Sequence, residues 1–341
     1  LSDDIHTAAL TALREYGSFR AAARALGIAP STFQNRVSTA RAAEEHTTYT
    51  TAPLPSALAP ATELLERRKR DFARAAAAHE ARKLINVRVN LDGPIGIAHF
   101  GDPHVDDDGT DVGLLERHTD ICRLTPGIFA ANVGDTTNNW VGRLARLYGE
   151  QGTSAAEGWV LAEWFINRLR WLYMIDGNHD CWSGSGNPLN WMAKDAAAVH
   201  EPHGARLNLV FPNGRAVRVN ARHDFPGNSM WNTVHGAAKA AQMGWRDHIL
   251  TCGHKHTSGY QVLKCPATGL ISHCLRVASY KTYDRFAAEK GMPDQNFTEC
   301  VLTVIDPAAA DERRLVTVFL DLAEGAEYLT WKRRDHKPVA G

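Results

Sequence analysis

From residue 86 onward, short apolar runs alternate with helical segments, and this alternation restricts the fold more than any other feature of the chain. A short apolar run bounded by Gly, Pro, Asn or Asp has the length of a strand and is too brief for a helix. Strands are expected over 86–91, 95–100, 129–133, 172–176, 206–211, 215–222, 248–252, 259–263, 272–279, 298–305 and 315–321. Helices are expected over 111–124, 154–170, 188–199, 229–243 and 284–290; segment 154–170 sets Leu161, Trp164, Phe165 and Leu169 on one face. Elements in this order bury their apolar faces by layering helices on sheets, so the expected fold class is α/β. Hydrophobic residues are 44% of the 341 and charged residues 22%, enough apolar side chain for such a core, which excludes a disordered or fibrous chain.

Five of the expected strands run straight into a short cluster of Asp, Asn or His. These are Gly101-Asp102-Pro103-His104, Gly134-Asp135, Gly177-Asn178-His179-Asp180, His223 and Gly253-His254-Lys255-His256. Strand ends are where side chains from distant parts of a sheet converge. In extended backbone Asp102 and His104 share a face and can grip one ion, and His254 and His256 repeat that spacing. Imidazole mixed with carboxylate suits Zn, Mn, Fe or Ni. Asn178 is a weak ligand for one ion alone but makes sense beside a second that shares a carboxylate, and Asp135 can supply that bridge. Seven such ligands exceed one tetrahedral ion and suit two, a recurrent device for hydrolysing phosphate esters. A lone His at a strand end is usually structural, and Gly beside Asp or Asn is ordinary turn chemistry. The ordered set of five is what argues for a metal centre.

This set resembles the calcineurin-like metallophosphoesterase family, whose pattern is DxH, GD, GNH followed by Asp or Glu, a His, and GHxH; the likeness covers about residues 95–305. The resemblance implies a β-sandwich flanked by helices (α/β/β/α). It implies that Asp102, His104 and His256 hold one divalent ion, that Asn178, His223 and His254 hold another, and that Asp135 bridges them. Manganese is the first expectation, with Zn2+, Fe2+ or Ni2+ as alternatives. His179 is implied as the catalytic group that protonates the leaving oxygen, and Asp180 either orients His179 or holds the turn. His235 is the rival of His223 for the fourth cluster; His223 is preferred because it ends an expected strand.

Residues 18–41 have the pattern of a helix-turn-helix. Ser18 can cap a helix running to Leu26, Gly27 suits a left-handed turn, and Ser31 can cap a second helix. Leu26, Ile28 and Val37 are expected inward, and Thr32, Gln34, Asn35 and Arg36 outward as DNA-reading residues. Residues 1–46 hold five Arg and five acids, so the segment is not itself basic; the run Arg67-Arg68-Lys69-Arg70 is. The expected domains are 1–46, a helix-turn-helix; 47–85, an uncharged Pro-containing linker and a basic helix; and 86–330, the metallophosphoesterase unit.

Other positions read more plainly. Asp106, Asp107 and Asp108 are expected to form a solvated acidic loop, the alternative being contact with metal or repulsion of a second phosphate. Cys181 and Cys252 are expected as small buried fillers. Trp140, Trp182, Trp191 and Trp231 are core by default, with a cleft position favoured for Trp140. Lys281 and Arg285 either hold a phosphodiester or sit on a solvated helix end. Lys and Arg total 38 and so do Asp and Glu, which argues against coating of a polyanion by the whole surface. No apolar stretch suits a membrane span, no signal peptide is visible, and scattered cysteines without a CxxC pair fit a cytoplasmic protein. The expected function is a two-metal phosphodiesterase or nuclease targeted to DNA, of a kind that looks like phage or prophage proteins. The alternatives are a DNA-binding or scaffolding protein with an inactive fold, and a phosphoprotein or nucleotide phosphatase.

Overall fold

The structure is a computed structural model that describes residues 2–46, 52, 54–182, 187–196, 199–283, 288–291 and 295–336. Its contacts divide it into two compact units, Leu1–Phe72 and Ala73–Gly341. The first holds α1 (Ser2–Tyr16), α2 (Phe19–Ala25) and α3 (Pro30–His46), and α4 (Ala61–Arg82) spans the division. Ser18 caps α2 by accepting from the Ala21 amide. Gly27 lies at φ +67, the left-handed conformation that lacks a penalty only for glycine. Ala9, Ala12, Ala22, Ala23, Phe33 and Val37 form the small core of this unit. Two local expectations fail here. Ser31 lies inside the first turn of α3 rather than capping it, because the helix begins at Pro30, whose fixed φ suits a first helical position. Leu26 is 40% exposed rather than inward.

The second unit contains β1 (Ile85–Arg88), β2 (Ile95–Phe100), α5 (Val112–Leu124), β3 (Ile128–Asn132), α6 (Ala155–Asn167), β4 (Trp171–Asp176), α7 (Asn178–Cys181) and α8 (Leu189–Met192). It continues with β5 (Val199–Pro202), β6 (Gly204–Val210), β7 (Ala216–Arg222), α9 (His235–Ala240), β8 (Ile249–Cys252), β9 (Gly259–Lys264) and β10 (Ile271–Arg276). Last come β11 (Cys300–Ile305), α10 (Glu312–Leu315), β12 (Val316–Phe319) and α11 (Leu322–Arg334). Two mixed six-stranded sheets result, in the orders β1-β6-β7-β8-β10-β9 and β12-β11-β2-β3-β4-β5. They stack face to face with helices outside, the expected α/β/β/α order.

Alternation along β2 shows how the layers are filled. Ile95 and Ile97 enter the core between the sheets with Leu207, Val219, Ile249 and Leu275. Ala98 and Phe100 face the other way, packing with Leu115 of α5, Phe165 of α6 and Leu329 of α11. A smaller cluster under α9 covers the outer face of the other sheet. The strands β2, β3, β4 and β5 are mutually parallel, as are β7, β8 and β10, so the loops leaving β2, β3 and β4 lie side by side and so do those leaving β7 and β8.

Several elements were not expected from the sequence: the 3-10 helix Gly142–Glu150, the short helices α7 and α10, strand β5 and helix α11. Strand β5 begins at Val199, the last residue of the helix expected over 188–199; α8 and a short 3-10 turn stop at Asp195. Parallel pairing with β4, Tyr173 opposite Val199, decides this segment. Helix α11 was signalled by Asp321 and Glu324: the Asp321 carboxylate accepts from the Glu324 amide as an N-cap. Of the helix expected over 284–290, residues 284–287 lie outside the described residues, as do 47–51 and 53 of the expected linker. Among the described residues no helix is long and apolar enough to cross a membrane.

Candidate metal centre

The five loops meet at one rim of the sandwich. Asp102 and His104 follow β2, Asp135 follows β3, Asn178 and His179 open α7 after β4, His223 follows β7, and His254 and His256 follow β8. His223 Nε2 lies 3.2 Å from Asp135 Oδ2, 3.0 Å from Asn178 Oδ1 and 3.0 Å from His254 Nδ1. His223 Nδ1 is 2.9 Å from the Val133 carbonyl oxygen and donates to it as a neutral ring with Nε2 facing the cluster would. His256 Nε2 is 3.7 Å from Asp102 Oδ2, and His104 Nε2 is 3.9 Å from Asp135 Oδ2. Two groups of potential ligand atoms therefore form, His104 with Asp135 and His179, and His223 with Asp135 and His254; Asp135 belongs to both. His235 opens α9, with its ring against Gly227.

Backbone strain aims these side chains. His104 (φ +39), Asp135 (φ +51), His254 (φ +70) and His256 (φ +49) are all left-handed although none is glycine. Such conformations each cost about 1–3 kcal/mol and persist only where the surroundings enforce them. Asp102/His104 and His254/His256 are therefore not aimed by sharing one face of an extended strand, because the backbone is left-handed at His104, His254 and His256. The enforcing bonds are present: the His104 amide donates to the Asp135 carbonyl at 3.0 Å, and the His254 amide to Asp102 Oδ2 at 2.5 Å.

The donor set fits a cation. Asp102 and Asp135 are buried, and Asp102 Oδ1 and both ring nitrogens of His104 have no hydrogen-bond partner. Orphaned buried acceptors are costly unless something charged answers them. Burial pushes the Asp102 carboxyl up to about 6 and the His104 imidazole well below its ordinary range. At His223 burial works downward, but the Asp135 and Asp102 carboxylates outweigh it and raise the ring to about 10. The carboxylates thus favour positive charge beside them.

Asp180 does not orient His179. It is fully buried, and its carboxylate accepts from the amides of Asp135 (2.7 Å), Gly177 (2.8 Å) and Thr136 (3.0 Å), stapling the third cluster to the second. His179 is held instead by Asn138, whose carbonyl is 2.5 Å from Nδ1, while Asn139 Nδ2 donates to the His179 carbonyl at 2.7 Å. With Nδ1–H so engaged, Nε2 faces the cluster. The Trp182 ring packs on His179 with centroids 4.0 Å apart.

The acidic loop is not solvated as expected. Asp106 is buried and accepts from the Asn138 amide at 2.7 Å; Asp107 pairs with Lys281 at 3.0 Å and accepts from Asn138 Nδ2. Only Asp108 is exposed. Asn138 and Asp106 are therefore supporting residues that the sequence reading missed; their nearness to Asp135 and His104 was the available signal. Lys281 meets a carboxylate rather than lying on a solvated helix end, and Arg285 is outside the described residues. Cys252 is a buried filler, but Cys181 is exposed. Trp140 packs edge-on against Tyr148, whereas Trp191 and Trp231 are 79% and 92% exposed, not core.

On α3, Phe33, Val37 and Ala40 are buried, Thr32, Gln34 and Asn35 are exposed, and Arg36 is half-buried.

No protein-family model matches the sequence, and no curated protein does. Solved structures with a similar chain trace include Vps29 complexed with Zn2+ from Entamoeba histolytica, 11% identical over 66% of this chain and 97% of that one, TM-score 0.33. Another is the calcineurin-like phosphoesterase YfkN from Bacillus subtilis, 12% identical over 71% and 97%, TM-score 0.34. A third is Pseudomonas putida nuclease MPE, 13% identical over 70% and 89%, TM-score 0.30.

Proposed function

We propose that this chain is a phosphoric ester hydrolase dependent on two divalent metal ions, acting as a phosphodiesterase or nuclease on DNA. The observation that carries the reading is the pair of ligand groups sharing buried Asp135. Asp102, His104 and His256 would hold one ion, Asn178, His223 and His254 the other, with manganese the first candidate. Bound there, the pair would neutralise phosphate oxygens and make hydroxide available near neutral pH.

The remaining work falls to the chain's own residues. Asp180 keeps the Asp135 and Gly177 turns together, so the shared carboxylate stays between the halves. Asn138 fixes the His179 ring with Nε2 toward the cluster, where a proton on Nε2 can pass to the leaving oxygen as the ester bond breaks. His179 is also within ligand distance of His104 and Asp135, so its role as acid and not ligand is part of the proposal. Residues 1–46 are assigned as the DNA-targeting helix-turn-helix, supported by the exposure of Thr32, Gln34 and Asn35 over buried Phe33 and Val37, with Arg36 beside them. Residues 86–330 are assigned as the hydrolase domain.

The test is purified full-length protein with MnCl2 offered a phosphodiester, a phosphomonoester and duplex DNA side by side, with metal content measured in parallel. Two ions per chain and cleavage of DNA and the diester are expected. Preference for the monoester would move the substrate to a phosphatase class. No hydrolysis with any substrate at saturating metal would refute the enzyme.

A further inference from the structure

Arg276, at the end of β10, is fully buried, and its guanidinium reaches two loops, the β7–α9 connection at two points and the loop after β8 at one. Nη2 donates to Asp224 Oδ1 at 2.8 Å, Nε donates to the Thr233 carbonyl at 2.7 Å, and Nη1 donates to the Gly253 carbonyl. Asp224 immediately follows His223, and Gly253 immediately precedes His254. Both neighbours belong to the same half of the candidate centre. None of the three partners adjoins Asp102, His104 or His256 in sequence, although the Gly253 loop also carries His256 and packs against Asp102.

The fold explains why an arginine serves here. β10 pairs in parallel with β8, placing Arg276 opposite Cys252, at the point where β8 gives way to the Gly253 loop. A planar guanidinium can satisfy several acceptors at fixed angles, whereas a lysine offers one compact charge. A buried charge is retained only with such partners. Asp224 also has the Lys255 ammonium 3.8 Å from its Oδ2, so the arginine joins the residue after His223 to the loop that bears His254 and Lys255.

We propose that Arg276, through Asp224 and the Gly253 carbonyl, is a positioning residue for one of the two metal sites, the one built by His223 and His254. The inference rests on the dinuclear reading above. Outer partners that orient ligands typically change metal affinity by about 10–100-fold when removed, and the two ligands that adjoin partners of Arg276, His223 and His254, belong to the same site.

The experiment titrates full-length apoprotein with MnCl2, following stoichiometry and affinity calorimetrically, with thermal melting as the check on folding. For Arg276→Met one ion should bind as in the unaltered protein and the other at least about tenfold more weakly. Asp224→Asn should act in the same direction, and Arg276→Lys should recover part of the loss. If Arg276→Met does not fold, Asp224→Asn decides alone. Equal weakening of both ions in a folded variant, or no change in either, would overturn the proposal. Fewer than two ions in the unaltered protein would instead overturn the dinuclear reading, so the two failures are told apart.

Discussion

Gly177 offers a direct test of how tightly the loops are packed. Its φ of −85 and ψ of −174 suit any residue, so the objection to a side chain is space alone. A Cβ there would lie 2.1 Å from Asp135 Oδ1 and 2.5 Å from the Asp135 backbone nitrogen. Reaching tolerable contact requires the two loops to separate by about an ångström. The Asp135 amide donates to Asp180 Oδ2 and the His179 amide to Asp135 Oδ1, so separation strains bonds to two carboxylates. Overpacking costs about 1–3 kcal/mol, and each hydrogen bond to a charged group contributes roughly 1.5–3. With partial relaxation, Gly177→Ala should cost about 3 kcal/mol. At about 2–4 °C per kcal/mol for a domain of this size, the melting temperature should fall by roughly 6–12 °C. Because Asp135 is common to both ligand groups, occupancy of both ions should fall together. Differential scanning calorimetry of the apoprotein and metal analysis after manganese loading measure the two effects. Gly149→Ala is the control: nothing lies within 4 Å of its Cβ, and the change should stay within about 0.5 kcal/mol. A Gly177→Ala protein that melts with the unaltered chain and binds two ions would refute the reasoning.

His179→Asn should keep both ions but lower turnover by about a hundredfold or more; loss of an ion would make His179 a ligand. Burial lowers the His99 imidazole to about 3, and its ring nitrogens lie 2.7 Å from the Tyr173 hydroxyl and 2.9 Å from Thr303 Oγ1. Since the unfolded chain takes up that proton near pH 6.5 and the folded one only near 3, His99 weakens stability as pH falls through this window. The contribution reaches about 1.4 kcal/mol per pH unit, so the stability of His99→Gln should fall less steeply between pH 6.5 and 4 in urea titrations. Arg36→Ala in the full chain should weaken binding to duplex DNA in fluorescence anisotropy at fixed salt while leaving hydrolysis of a small diester unchanged. Unchanged DNA affinity would count against Arg36 as a DNA contact.

Much of the strand order was legible because a strand's apolar side chains must repeat at the pleat, as Ile95 and Ile97 do on one face of β2 and Ala98 and Phe100 on the other. Four of the five clusters were legible for a related reason: Gly101, Gly134, Gly177 and Gly253 stand beside chemistry-bearing residues directly after apolar runs. Short segments were less legible. Val199–Pro202 has too few residues for its own pattern to outweigh the helical stretch before it, and becomes a strand because β4 offers an open edge.

What the chain's order of residues settled by itself was the set of side chains and the type of layer that carries them. It could not say that His104, Asp135, His254 and His256 would leave extended backbone for left-handed turns, since those conformations exist only where loops from different strands bond one another. Nor could it assign Asp180 to three backbone amides, Asn138 to His179, or Arg276 to both Asp224 and Gly253. Asn138 lies 41 residues from His179, and Arg276 lies 52 from Asp224. Contacts of that range follow from strand pairing and from the cost of leaving a buried polar group unanswered, and neither acts until the two sheets have closed on each other.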